Sequence, residues 1–108
     1  VIFQPHRFSR FKSLYLDFKK ILKNCDKLYV TDVYAAGEKK IKSISKENFV
    51  NEMNNNKKNF AEILDDFNHL PQIILNEAEQ GDIVIFIGAG DISKWVNDLP
   101  KKLNKLKL

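Results

Sequence analysis

Five apolar residues in succession, Ile83-Val84-Ile85-Phe86-Ile87, stand between a Gly81-Asp82 turn and Gly88-Ala89-Gly90. The run is too short for a helix and lacks alternation of apolar and polar positions, so it predicts a central strand covered on both faces. Strands of that kind belong to parallel sheets sandwiched between helices. Parallel neighbours need crossover connections, so helical stretches must alternate with strands along the whole chain.

The rest of the sequence follows that order. Val1-Ile2-Phe3 is an apolar run ended by Gln4-Pro5, where proline stops ladder donation. Phe11, Leu14, Tyr15, Phe18, Ile21 and Leu22 then recur at helical spacing, with Ser9 placed to cap the helix start. Leu28-Tyr29-Val30 is a second β-rich run, closed by Asp32 and a loop through Gly37. A helix is predicted after Ser45 with Phe49, Val50 and Met53 on its buried face, then a weak strand over Phe60 to Leu64 interrupted by Glu62. Asn68 to Gln80 reads as a helix with Pro71 in its first turn. Ile92, Trp95, Val96, Leu99 and Leu103 mark a last helical face, which Pro100 is expected to kink or restart. The prediction is an α/β fold with right-handed crossovers, one domain over residues 1–108.

Composition excludes several other classes. No apolar run approaches the roughly 20 residues of a bilayer span, and no secretory signal precedes the first strand. Cys25 is the single cysteine, which rules out an internal disulfide and an all-cysteine metal site. A reducing, cytoplasmic setting is the expectation. The net charge of +4 permits phosphate or carboxylate partners without requiring them. Lys101, Lys102, Lys105 and Lys107 are read as a polar tail, so no nucleic-acid partner is predicted. The chain starts at Val1 with a strand already under way, which reads as a piece of a longer protein.

Three segments follow directly on predicted strands and therefore open on one edge of a parallel sheet, where ligands of such sheets collect. In Gln4-Pro5-His6-Arg7-Phe8-Ser9-Arg10, the arginines are three apart at a helix start. That spacing suits a carboxylate or phosphate, and suits equally two surface ion pairs. In Asp32-Val33-Tyr34-Ala35-Ala36-Gly37-Glu38, the Asp32 carboxylate can bind a hydroxyl, an ammonium or a magnesium-bound water. Taken singly, an aspartate at a strand end is first a turn former. Gly88-Ala89-Gly90-Asp91-Ile92-Ser93 begins like a dinucleotide fingerprint, but Ser93 replaces the third glycine, so no NAD site is predicted. The free N–H groups of this helix start still favour an anion. His6 and His69 have no partner at metal-ligand spacing, and no Walker-A, nucleophile-elbow or zinc pattern is present.

Phe3-Gln4-Pro5-His6-Arg7-Phe8-Ser9-Arg10, Asp32-Val33-Tyr34-Ala35-Ala36-Gly37-Glu38 and Gly88-Ala89-Gly90-Asp91-Ile92 together resemble the signatures of the C-terminal domain in the alanine-adding branch of the Mur ligase family. Order, spacing and strand context match up to about Leu103. The resemblance implies a three-layer, Rossmann-like, mostly parallel sheet flanked by helices, which in the family starts one strand and one helix before the segment matching Val1. It implies the closing domain of an ATP-dependent, magnesium-using ligase of peptidoglycan synthesis. That enzyme joins L-alanine to UDP-N-acetylmuramic acid through an acyl phosphate. The P-loop and UDP-sugar site would lie in central and N-terminal domains outside this chain, so the domain alone would be inactive and bind no cofactor or metal.

By resemblance, His6, Arg7 and Arg10 lie at the substrate edge, Asp32, Tyr34 and Ala35 face the nucleotide cleft, and Gly90 and Asp91 meet the amino-acid end. Phe8 departs from the family's usual tyrosine, keeping the ring and losing the hydroxyl. The alternatives are a sister ligase that adds glycine or serine, and a non-enzymatic module binding an anion or nucleic acid.

Overall fold

The computed structural model describes residues 1–107, with side chains through Leu106; the Lys107 side chain of the lysine tail lies outside the described residues. Four parallel strands, β1 (Ile2–Phe3), β2 (Leu28–Val30), β3 (Ala61–Ile63) and β4 (Phe86–Ile87), form one sheet in the order β3-β2-β1-β4. Between β1 and β2 run α1 (Phe8–Ser13) and α2 (Tyr15–Leu22); α3 (Lys46–Met53) joins β2 to β3. A 3₁₀ turn (Phe67–His69) and α4 (Leu70–Glu77) lead to β4, which is followed by α5 (Ile92–Lys107). This is the expected α/β architecture of a parallel sheet flanked by helices.

Alternation along the short strands divides the core into two layers. Phe3, Leu28 and Val30 face α1, α2 and α3, where Phe11, Leu22, Phe49 and Met53 complete a buried cluster. Its aromatic centre is tight, with the Phe3 ring 4.8 Å from Phe18 and 5.8 Å from both Phe11 and Phe49. Ile2 and Tyr29 point the other way, onto Leu70 of α4 and Ile92 of α5. The cause is the direction of the crossovers. β1 to β2 to β3 steps one way across the sheet, while β3 to β4 returns past β2 and β1. Right-handed connections then place α4 on the opposite face from α1–α3.

Local signals account for several elements. Ser45 caps α3 by accepting the Asn48 N–H at 3.1 Å, and Pro71 sits in the first turn of α4, where its missing donor costs nothing. Elsewhere the chain departs from expectation. The helix predicted from Phe11 to Leu22 starts at Phe8 and is interrupted at Leu14, whose φ is −109°. The stripe that buries is Phe11, Tyr15, Phe18 and Leu22, while Leu14 and Ile21 fall on its flank and are exposed. Ser9 lies inside α1 and does not cap it; the capping position is Arg7. α5 continues through Pro100, which is exposed, because its stripe of Ile92 and Leu99 stays buried on one side.

The larger correction concerns Ile83-Val84-Ile85-Phe86-Ile87. This run is at the edge of the sheet, with β1 as its one neighbour, and Ile83, Val84 and Ile85 are 82%, 37% and 49% exposed. The backbone still pairs, since Ile2 and Gln4 donate to the Ile85 and Ile87 carbonyls at 2.8 Å. An unbroken apolar run records what a strand's faces need; it does not say whether this chain provides the cover.

Candidate functional site

β1 lies between β2 and β4, so its carboxyl end neighbours both of theirs, and the reversal of chain direction across the sheet occurs there. Ligands of open α/β sheets bind at such a crevice. The first two loops stay paired beyond their strands. Thr31 donates to the Phe3 carbonyl at 2.9 Å, Tyr34 to Pro5 at 2.8 Å and Arg7 to Tyr34 at 2.8 Å, with His6 and Tyr34 forming an isolated parallel bridge. The His6 and Tyr34 rings stack at 5.6 Å with 10° between planes.

The third loop is joined through a residue absent from the predicted site, Gln4. Its buried amide donates from Nε2 to Asp91 Oδ1 and accepts the Ile92 N–H at Oε1, 3.2 Å away. Close approach explains the glycine at 90. A Cβ there would lie 2.6 Å from Tyr34 Cγ and 3.0 Å from Gln4 Oε1. Gly90 therefore lets the second and third loops touch.

The structure thus brings His6, Arg7, Tyr34, Gly90 and Asp91 together around Gln4. Arg7 takes a left-handed φ of 65°, which a non-glycine residue adopts at a cost of about 1–3 kcal/mol and which recurs at functional sites. Arg7 and Arg10 are exposed, and among the described residues neither has a carboxylate within 4.0 Å. The surface ion pairs that the spacing allowed are not formed. His6 Nδ1 is buried without a hydrogen-bond partner.

Two carboxylates are already engaged. The turn at Ala35–Glu38 has φ of 51° at Ala36 and 86° at Gly37, and closes with Glu38 N–H on the Ala35 carbonyl at 3.0 Å. It carries Glu38 back to α1, where the carboxylate accepts from the Ser9 hydroxyl at 2.6 Å and the Ser9 N–H at 3.0 Å. These bonds, helped by the positive charge of Arg7, hold the Glu38 carboxyl below its usual range, so the first turn of α1 already serves an internal anion. Asp32 turns toward α3 and meets the buried Lys46 ammonium at 2.5 Å, which also reaches Asp65 at 2.8 Å. Burial pulls the Lys46 ammonium down, but the hydrogen bonds and charges of Asp32 and Asp65 outweigh it and raise the group. A recess of about 660 Å³ opens beside this pair, lined by Asp32, Val33, Lys40, Lys42 and Lys46. Ala35 is half-buried against the aromatic core.

The expected free N–H groups at the α5 start also need correction, since Gln4 occupies the first of them, on Ile92. Lys102 lies over the Trp95 ring at 3.9 Å. Among the described residues no group of three or more His, Cys, Asp or Glu side chains is placed to hold a metal, and no helix is long and apolar enough to cross a membrane.

Fold and site define an α/β domain in which three loops meet at the carboxyl ends of β1, β2 and β4 and bring His6, Arg7, Tyr34, Gly90 and Asp91 together around Gln4. No protein-family model matches the chain. Among curated proteins, it is 43% identical over 109 residues to UDP-N-acetylmuramate–L-alanine ligase of Rickettsia bellii, covering 97% of this chain and 22% of that protein. The enzyme of the same name from Rhodospirillum rubrum is 40% identical over 106 residues, covering 98% and 22%. That from Aquifex aeolicus is 38% identical over 104 residues, covering 96% and 22%. The chain resembles the C-terminal domain of these ligases and spans about a fifth of the length of the relatives it matches.

Proposed function

We propose that this chain is a domain, 1–108, of a longer cytoplasmic enzyme, and that it closes over the substrates of an ATP-dependent ligase joining L-alanine to UDP-N-acetylmuramic acid. The observation that carries the reading is the meeting of three sequence-distant loops at one strand-end crevice, with Arg7 and Arg10 left without carboxylate partners. Unpaired guanidinium groups at such an edge suit a carboxylate or phosphate, which they bind bidentately. In this reading His6, Arg7 and Arg10 hold substrate oxygens, and Gly90 and Asp91 meet the amino acid. Tyr34 covers the crevice between them, and Asp32 and Ala35 border the nucleotide side.

The edge does not by itself make a magnesium site, because the Asp32 carboxylate is tied to Lys46. ATP, magnesium and the sugar nucleotide would be held by central and N-terminal domains outside this chain. The uncovered edge of β4 supports the same division, as a place where more of a longer protein packs.

The test uses the full-length enzyme carrying Arg7→Ala or Arg10→Ala. Loss of a charge-assisted contact worth about 1.5–3 kcal/mol lowers kcat/KM for L-alanine-dependent phosphate release by roughly 10- to 100-fold. Activity near wild type for both variants overturns the assignment. Phosphate release across alanine, glycine and serine identifies the amino acid.

A further inference from the structure

Asp91 immediately precedes α5, the position from which an aspartate side chain ordinarily turns back to cap its own helix. Here its backbone carbonyl accepts from the Lys94 and Trp95 N–H groups, at 3.1 and 3.4 Å. Its carboxylate makes no cap bond among the described residues; Oδ1 instead accepts from Gln4 Nε2. The cap is supplied from another element, since Gln4 Oε1 takes the Ile92 N–H. Gln4 is 5% exposed, so both ends of its amide are satisfied within the protein. A Cβ at Gly88 would lie 3.0 Å from the Gln4 carbonyl oxygen and 3.1 Å from its Cβ, so Gly88 packs directly against Gln4.

We propose that Gln4 is a positioning residue. By capping α5 in place of Asp91, it holds the Asp91 carboxylate at the strand-end crevice, with one oxygen left to accept from the amine end of a bound amino acid. Asp91 is exposed, so that second oxygen is within reach of a ligand. The inference rests on the reading above, in which the amino acid meets this loop, and it names the group that orients the contact.

The amide is needed because the two bonds have opposite polarity. A carboxylate at position 4 would still accept from Ile92 but would repel Asp91; an alanine would lose both bonds. Gln4→Glu, Gln4→Ala and Gln4→Glu combined with Asp91→Asn are made in the full-length enzyme. The combined variant restores the side-chain hydrogen bond with donor and acceptor exchanged, so it repairs the packing while moving the negative charge from residue 91 to residue 4.

The expected result is a rise of at least tenfold in KM for L-alanine in Gln4→Glu, with a smaller change in kcat and none in KM for ATP. The combined variant should recover the melting temperature but not the KM. A Gln4→Glu enzyme with unchanged KM for L-alanine, or a combined variant with its KM restored, overturns the proposal and leaves Gln4 a packing residue. Hydrogen exchange of the 88–95 segment separates this failure from failure of the ligase reading. Gln4→Ala should deprotect the Ile92 amide while the β2 amides stay protected, whether or not the enzyme uses alanine. Unchanged protection in Gln4→Ala overturns the clamp itself, whereas a wild-type enzyme with normal protection and no alanine-dependent phosphate release overturns the ligase reading.

Discussion

Gly90→Ala is the substitution whose cost can be followed most directly from the geometry. Gly90 does not use the left-handed backbone region, so alanine meets no conformational penalty there, and the whole effect comes from overlap. The new methyl would lie 2.6 and 2.7 Å from two atoms of the Tyr34 ring, where ordinary carbon contacts are about 3.5–4.0 Å. Something must yield by about 1 Å. If the Tyr34 ring swings out, its stack on His6 is lost, worth about 0.5–1.5 kcal/mol. If the loop retreats, the Gln4 bond to the Ile92 N–H is stretched, a further 0.5–1.5 kcal/mol or about that. The lower entropy of the unfolded alanine chain returns about 0.4–1 kcal/mol. Where both contacts are lost the net destabilisation is roughly 0–2.6 kcal/mol, centred near about 1.3 kcal/mol, or a fall in Tm of roughly 5–10 °C for a domain this small. Urea denaturation of the single variants and of Gly90→Ala with Tyr34→Ala measures the coupling. Removing the ring should relieve most of the cost of the methyl, so the two changes should be far from additive. Additive losses would show that Tyr34 and Gly90 do not share this contact, and the convergence of the second and third loops would fall with them.

Glu38→Gln tests the internal anion at the start of α1. A carboxyl held below its usual value contributes stability above that value and loses it as pH falls through the lowered one. The unfolding midpoints of wild type and Glu38→Gln should therefore differ near pH 7 and converge below roughly pH 4, and a gap independent of pH would refute the role of the charge. Ile83→Asp tests the bare edge. At 82% exposure the side chain has little burial to lose, so the free energy of unfolding of this domain should change by less than about 0.5 kcal/mol in urea denaturation, and a larger loss would refute the exposure of the edge.

The elements legible in the sequence are those whose causes are local. Ser45 ahead of an apolar face and Pro71 at a first turn act within a few residues, and the structure places α3 and α4 accordingly. The interruption at Leu14 and the passage of α5 through Pro100 depend on which stripe the sheet buries, which spacing alone does not reveal. The same holds for the charges. Lys46 pairs with Asp32 and Asp65 across two strand ends, and Glu38 with Ser9 across 29 positions, so neither pair leaves a short-range pattern. Gln4 did leave one: a polar side chain between a buried strand and a proline must find partners if it is buried, and its partners are 87 and 88 positions away.

That long separation explains why the segment after β1 is central to the site. In the order β3-β2-β1-β4, the carboxyl end of β1 is the one place adjacent to the ends of both β2 and β4. Residues there can contact the other two loops, whereas the second and third loops meet only where Tyr34 reaches across to Gly90. Gln4, His6 and Arg7 use this position in three ways: an amide bond to the third loop, a ring stacked on the second, and a backbone N–H donated to Tyr34. The strained φ of Arg7 follows from the same constraint, because its N–H must reach Tyr34 at the residue where α1 begins. Crevice and strain are thus consequences of one strand order.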